Sequence, residues 1–242
     1  MGIDPERTVA EIALEKPHAA AVFEKLGIDY CCGGGKPLSA ACEEAGIDVN
    51  DVEGLLDGTG KAESEAGNWS QRSLASLVGH IVEKHHAYCR EESPRLQSLL
   101  AKVVSKHGGH HSELAQVQTL FTSLRNELSM HMMKEEQMLF PYIVRLEEAA
   151  ASKSAAPRAP FGTVQNPVRM MVMEHDDAGH LTKEIRGLTG NFTPPEDACA
   201  SFNALYRGLE AFEADLHLHI HLENHLVFPR AIALEEKVAQ AD

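Results

Sequence analysis

The chain has 242 residues, a formal net charge of -14 and 43% hydrophobic residues, enough to bury a sizeable core in more than one folded unit. So acidic a surface weighs against nonspecific binding to nucleic acid or to an anionic membrane, and no apolar run reaches the ~18 residues of a membrane span. The five cysteines are odd in number and sparse, which suits a reducing cytoplasm better than a disulfide framework, and the start, MGIDPERTVAEIALEK, lacks the basic region and apolar run of a signal peptide.

Residues 1–58 read as a small N-terminal domain of short helices. Thr8 can cap the first, Gly27 and Gly46 can stop later ones, and DVNDVEGLLDG makes another. Val9, Ile12, Phe23, Leu26, Ile28, Leu38, Val52 and Leu55 supply its expected core. Residues 59–69 form a polar linker. Residues 70–242 then carry four long helices, the first over about Ser70–Lys106 and the second over about Ser112–Ala150. The third opens at NPVRM, with Asn166 as cap and Pro167 at the first helical position. The fourth opens at TPPEDA, where Thr193 and Glu196 have capping-box spacing. Strand signals are almost absent. An all-α protein with a four-helix bundle is expected, its one long crossover being ASKSAAPRAPFGTVQ.

Thirteen of the fourteen histidines lie between His80 and His225. The second long helix has its apolar stripe at Leu114, Val117, Phe121, Leu124 and Leu128. The next two positions of that stripe are His131 and Glu135, after which Met138 and Tyr142 resume it. The fourth helix repeats this with Phe202, Leu205, Leu209, Phe212 and Leu216, then His219 and Glu223, then Leu226. HMMKEEQMLFP and HIHLENHLVFP align, each with Glu at +4, Phe at +9 and Pro at +10 from its first His. His86 in the first helix and His175 in the third precede these segments by nearly equal distances. Val82, His86 and Cys89 share a stripe, which selects His86 over His85.

Buried carboxylates and imidazoles need compensation. Six inward groups, His86, His131, Glu135, His175, His219 and Glu223, suit a pair of metal ions, each with two histidines and with both glutamates bridging. An oxo or hydroxo bridge would leave a free position on each ion. Nitrogen and oxygen donors without thiolate favour iron or manganese over an iron-sulfur cluster or structural zinc. The competing reading is a core in which histidines only hydrogen-bond to glutamates, and such a core costs stability wherever it is incompletely paired. His80, His110, His111, His180, His217, His221 and His225 read as surface groups or as supports of the ligands.

DYCCGG, EHDDAG, HMMKEEQMLFP and HLENHLVFPRA together closely resemble the iron-sulfur cluster repair di-iron proteins. This ScdA-type family of bacteria joins a short N-terminal ScdA domain to a hemerythrin-like bundle. The resemblance covers about residues 7–236. It implies two non-haem iron ions held by the six residues named above, and a role in repairing iron-sulfur clusters damaged by nitrosative or oxidative stress, by donating iron. The partners it implies are damaged iron-sulfur proteins or a cluster scaffold, with nitric oxide or dioxygen as small ligands, no nucleic acid and no membrane; a homodimer is allowed. Two alternatives are a di-iron nitric oxide or peroxide reductase and a hemerythrin-like oxygen or nitric oxide sensor.

Cys31 and Cys32 are adjacent and followed by three glycines. Neighbouring α carbons ~3.8 Å apart are too close for an unstrained disulfide. The pair reads as accessible thiols that cycle redox state or pass iron or nitric oxide onward; a glycine-rich turn with two incidental small residues is the other reading. Cys42, Cys89 and Cys199 read as packed helical thiols.

Overall fold

The computed structural model describes residues 3–16, 18–58, 69–155 and 157–240. In the N-terminal domain, α1 (Val9–Glu15), α2 (Ala19–Leu26), α3 (Leu38–Ala45) and α4 (Val49–Gly58) enclose a core of their own. Thr8 caps α1 through a full capping box with Glu11. Gly27 and Gly46 end α2 and α3 in the left-handed conformation, at φ +69° and +68°. The core takes Leu56 and leaves the expected Leu55 exposed; Leu26 is half-buried. Of the expected linker, residues 59–68 lie outside the described residues, and Trp69 is buried at the start of a short 3-10 turn.

The bundle's first long helix comprises α5 (Leu74–His80), a π-helical segment at Ile81–His86 and α6 (Ala87–His107). The second comprises α7 (Glu113–Lys134), a π segment at Glu135–Leu139 and α8 (Phe140–Ser152). The third is α9 (Gln165–Leu188). The fourth comprises α10 (Ala200–Leu222), a π segment at Glu223–Val227 and α11 (Phe228–Ala239). Among the described residues the fold is all-α, with one isolated bridge between Thr8 and Pro37.

Three of the expected helix starts move, each for a tertiary reason. Ser73 caps the first helix, its hydroxyl accepting from the Ser76 amide at 3.1 Å. Glu147 of α8 accepts from the Leu74 and Ala75 amides at 2.7 and 2.9 Å, so the helix begins at Leu74 and not near Ser70. At α9, Glu235 of α11 accepts from the Val164 amide at 3.0 Å, and Asn166 is not the cap but donates to the Phe161 carbonyl. The box between Thr193 and Glu196 does not form. Asn191 and Phe192 turn the chain with positive φ, and α10 starts only at Ala200, after Cys199.

The π segments alter the inward stripe. Pro141 and Pro229 near the starts of α8 and α11 cannot donate the i→i−4 bond, and the widened turn lies over the residues just before them. One consequence is a register shift: Leu139 is buried and the expected Met138 is half exposed. Two apolar clusters result. Leu100, Leu114, Phe121, Leu205 and Phe212 belong to one, and Leu77, Ile81, Leu139, Val168 and Leu226 to the other.

Candidate metal centre

Between those clusters lies a polar layer. His86, His131, Glu135, His175, His219 and Glu223 are all buried in it, with Glu135 and Glu223 at zero exposure. The ligand atoms fall into two overlapping sets, His86–His219 and His131–His175, each joined by both glutamates and each spanning no more than 4.8 Å. His86 Nε2 faces His219 Nε2 at 3.2 Å, and His131 Nε2 faces His175 Nε2 at 3.1 Å. Two nitrogens ~2.1 Å from one ion and at a right angle to each other would be ~3 Å apart.

The supporting hydrogen bonds fix which ring nitrogen faces inward. His86 Nδ1 donates to Glu136 at 2.7 Å, His131 Nδ1 to Glu174 at 2.9 Å, and His175 Nδ1 to Asn224 at 2.8 Å. Each leaves Nε2 as the inward donor to a cation. Arg90 holds Glu136, and Lys134 holds Glu174. The fourth imidazole, His219, stacks on His85, whose Nδ1 meets Asp215 at 3.0 Å. Phe140 lies parallel to His86 and Phe228 to His175, ring centres 5.7 and 5.9 Å apart, which accounts for the repeated Phe at +9. Glu136 and Asn224 occupy equal positions in the internal repeat, directly after Glu135 and Glu223, and that equivalence is the sequence signal that marks them.

Protein groups alone do not satisfy this layer. Glu135 Oε1 and Oε2 and Glu223 Oε2 are buried without a hydrogen-bond partner, although imidazole nitrogens approach at 3.0–3.4 Å. Burial opposes charge on His131, yet Glu135, Glu174 and Glu223 outweigh it and hold its pKa up to about 10. The pKa of His86 is likewise raised against burial, by Glu135, Glu223 and Glu136. Burial and Glu223 work against ionised Glu135, but His131 and His86 keep its pKa low. A site that keeps its carboxylates ionised and unsatisfied in an apolar surround fits a cation.

The wider comparisons agree with this geometry. Residues 78–231 match the family described as "Hemerythrin HHE cation binding domain", and residues 5–58 match ScdA_N, "Domain of Unknown function (DUF542)". The chain is 37% identical over 229 residues to a "Probable iron-sulfur cluster repair protein" of Haemophilus influenzae, covering 94% of this chain and 97% of that one. It is 37% identical to the iron-sulfur cluster repair protein YtfE of Escherichia coli O157:H7, over 95% and 98% of the two chains. Against YtfE of Pectobacterium atrosepticum the identity is 35%, over 94% and 97%. The chain belongs to the iron-sulfur cluster repair family.

In this family member the N-terminal domain sits on the bundle beside the polar layer. The Asp29 carboxylate accepts from the Cys31 and Cys32 amides at 3.0 Å and from the Gly33 amide at 2.9 Å. Gly34 is needed in this turn, because a Cβ there would lie 2.2 Å from the Tyr30 carbonyl oxygen. Three histidines of the fourth helix grip the N-terminal domain, two of them at this turn and one at α2. His217 Nδ1 meets Glu24 at 2.6 Å, His221 Nδ1 donates to the Tyr30 carbonyl at 2.9 Å, and His225 Nε2 to the Cys31 carbonyl at 2.6 Å. They dock one domain on the other, a role a linear pattern does not display.

The cysteines differ from one another. Cys31 is buried, and its thiol is held protonated by its contact with Cys32, by burial and by Asp29; it is not the accessible thiol expected. Cys32 is half-buried, its Sγ 3.8 Å from that of Cys31 and 3.7 Å from the His175 carbonyl oxygen. Cys42 and Cys89 are packed as expected, but Cys199 is exposed at the start of α10.

Proposed function

We propose that this chain repairs iron-sulfur clusters by donating iron from a two-iron site held by His86, His131, Glu135, His175, His219 and Glu223. The observation that carries this reading is the pair of overlapping two-histidine sets sharing two buried, incompletely satisfied glutamates. The printed function of the relatives supports it. Two iron ions bound there would be a labile store held by nitrogen and oxygen donors. The chain's own part is to keep four Nε2 atoms aimed inward, to hold two carboxylates ionised between them, and to exclude water with the apolar clusters on either side.

Cys31 and Cys32 belong to the same proposal, with half-buried Cys32 as the group that meets iron or nitric oxide passing between bundle and client and buried Cys31 as its neighbour, the two sulfurs 3.8 Å apart. The nearness of Cys32 to the backbone of His175 supports that role. The damaged client is an iron-sulfur protein or a cluster scaffold.

The test begins with metal analysis and the optical spectrum of anaerobically purified protein beside a Glu135→Ala, Glu223→Ala variant. About two irons per chain, absent from the variant, are expected. Loaded protein should then restore a nitric-oxide-treated cluster enzyme in stoichiometric fashion while losing its own iron. Replacing both cysteines by serine should remove repair and leave iron content unchanged. Iron retained by the glutamate variant, or sustained turnover of nitric oxide without iron loss, would overturn the proposal.

A further inference from the structure

A cleft of about 460 Å³ lies where the cysteine turn meets α9, a size within the ~300–1,000 Å³ range of small-ligand sites. Cys31 and Cys32 form part of one wall. Asp176, Gly179, His180 and Lys183, on one face of α9, form another. Most charged groups around it are already engaged. Glu24 is taken by His217, Glu213 by Arg186, and Asp29 by the turn amides. Asp176 and Lys183 are exposed and make no ion pair among the described residues.

Those two opposite charges stand seven residues apart on the helix, ~10 Å along its axis. Gly179 lies between them, and a Cβ there would stand 3.4 Å from the Cys32 sulfur. The sulfur thus sits against α9 midway between an anion and a cation. A ligand matched to this wall carries an ammonium, a carboxylate and a sulfur between them.

We propose that the cleft is a binding and modification site for the disulfide of a small zwitterionic peptide thiol, with Cys32 as the exchanging residue. The Cys32 sulfur attacks one sulfur of the bound disulfide. The ligand's S–S bond breaks, a mixed disulfide with Cys32 forms, and the second half leaves as a thiol carrying the proton lost by Cys32. Cys32 is oxidised and the departing half reduced, with the small disulfide as oxidant. Lys183 takes the ligand carboxylate and Asp176 its ammonium. The site shares Cys32 with the repair reading but goes beyond it, since neither the bound group nor its chemistry involves iron.

The test treats reduced full-length protein with oxidised glutathione or with neutral 2-hydroxyethyl disulfide, and follows adducts at each cysteine by peptide mass spectrometry. The Cys32 rate should saturate with oxidised glutathione and exceed the neutral reagent's rate by about tenfold. Lys183→Glu, at an exposed position, should remove that preference, and Cys32→Ser should remove the saturable adduct. Exposed Cys199 should react linearly with both reagents and serves as the internal control. A linear Cys32 rate without preference, an unchanged rate in Lys183→Glu, or adduct on Cys199 alone would overturn the proposal. No arm reads repair activity, so its failure is distinct from failure of the repair reading.

Discussion

The imidazole of His221 donates to the Tyr30 carbonyl at 2.9 Å, from a fully buried position on the bundle to the turn that carries Cys31. His225 makes the equivalent bond to the Cys31 carbonyl itself. A net hydrogen bond contributes about 1 kcal/mol, so the pair contributes about 2 kcal/mol to docking. His221→Ala with His225→Ala should raise the undocked population about thirtyfold. Alkylation of buried Cys31 should accelerate by a similar factor. An unchanged alkylation rate would show that these histidines do not hold the domain in place.

Metal loading should release protons. The pKa of His131 is held at about 10 in the metal-free protein, so near neutral pH an incoming cation must displace its proton, and the upward shift of His86 acts in the same direction. Apparent affinity should therefore rise with pH. Titration calorimetry in two buffers of different ionisation enthalpy would read the proton release directly; identical heats would count against it.

The same shift has a sign for folding. A histidine raised from 6.5 to about 10 stabilises the folded state fully below pH 6.5 and progressively less as pH rises through 10. Metal-free protein should therefore lose thermal stability between those limits. Metal-loaded protein, in which the cation replaces the proton, should lose less over the same interval. Parallel melting curves at a series of pH values would decide the matter.

Glu147 and Glu235 hold equivalent places in the internal repeat, six residues after Pro141 and Pro229. Each caps the first helix of its own hairpin. Either changed to Gln should cost about 1–2 kcal/mol, the size of a lost helix cap. Glu235→Gln should cost more, because Tyr142 and Thr163 also donate to that carboxylate, each at 2.6 Å. The two losses should add, since the caps share no partner. Chemical denaturation of the single and double variants measures this.

The π segment after Glu135 puts Leu139 in the core and Met138 outside. Leu139→Ala should cost about 2–5 kcal/mol, as core truncations do. Met138→Ala should fall within about 0.5 kcal/mol of the parent. The reverse order would restore the uninterrupted helical register.

The all-α class, the two helical hairpins and the grouping of six histidines and glutamates were legible because they rest on local rules. Helical periodicity puts His131 and Glu135, and His219 and Glu223, on the inward stripe, and the repeat marks His175 and His86 as their counterparts. Local caps such as Thr8–Glu11 and the glycine stops at Gly27 and Gly46 were legible for the same reason. What failed depended on distant partners. The starts of α5 and α9 are set by Glu147 and Glu235, more than 70 residues away, where Asn166 had seemed a sufficient cap. Met138 gave way to Leu139 inside the widened turn, while Tyr142 beyond it and Leu226 in the fourth helix keep their places in the core.

The sequence by itself determined that His86, His131, Glu135, His175, His219 and Glu223 face inward, since a helix turns by a fixed angle per residue and a repeat copies that pattern. Only the tertiary structure decided what those residues face and how they are held. The pairing of His86 with His219 and of His131 with His175, the Nδ1 partners Glu136, Glu174 and Asn224, and the seating of Cys32 against His175 all join segments 40 or more residues apart. Such contacts follow from how whole helices pack, and no local spacing encodes the relative placement of two helices.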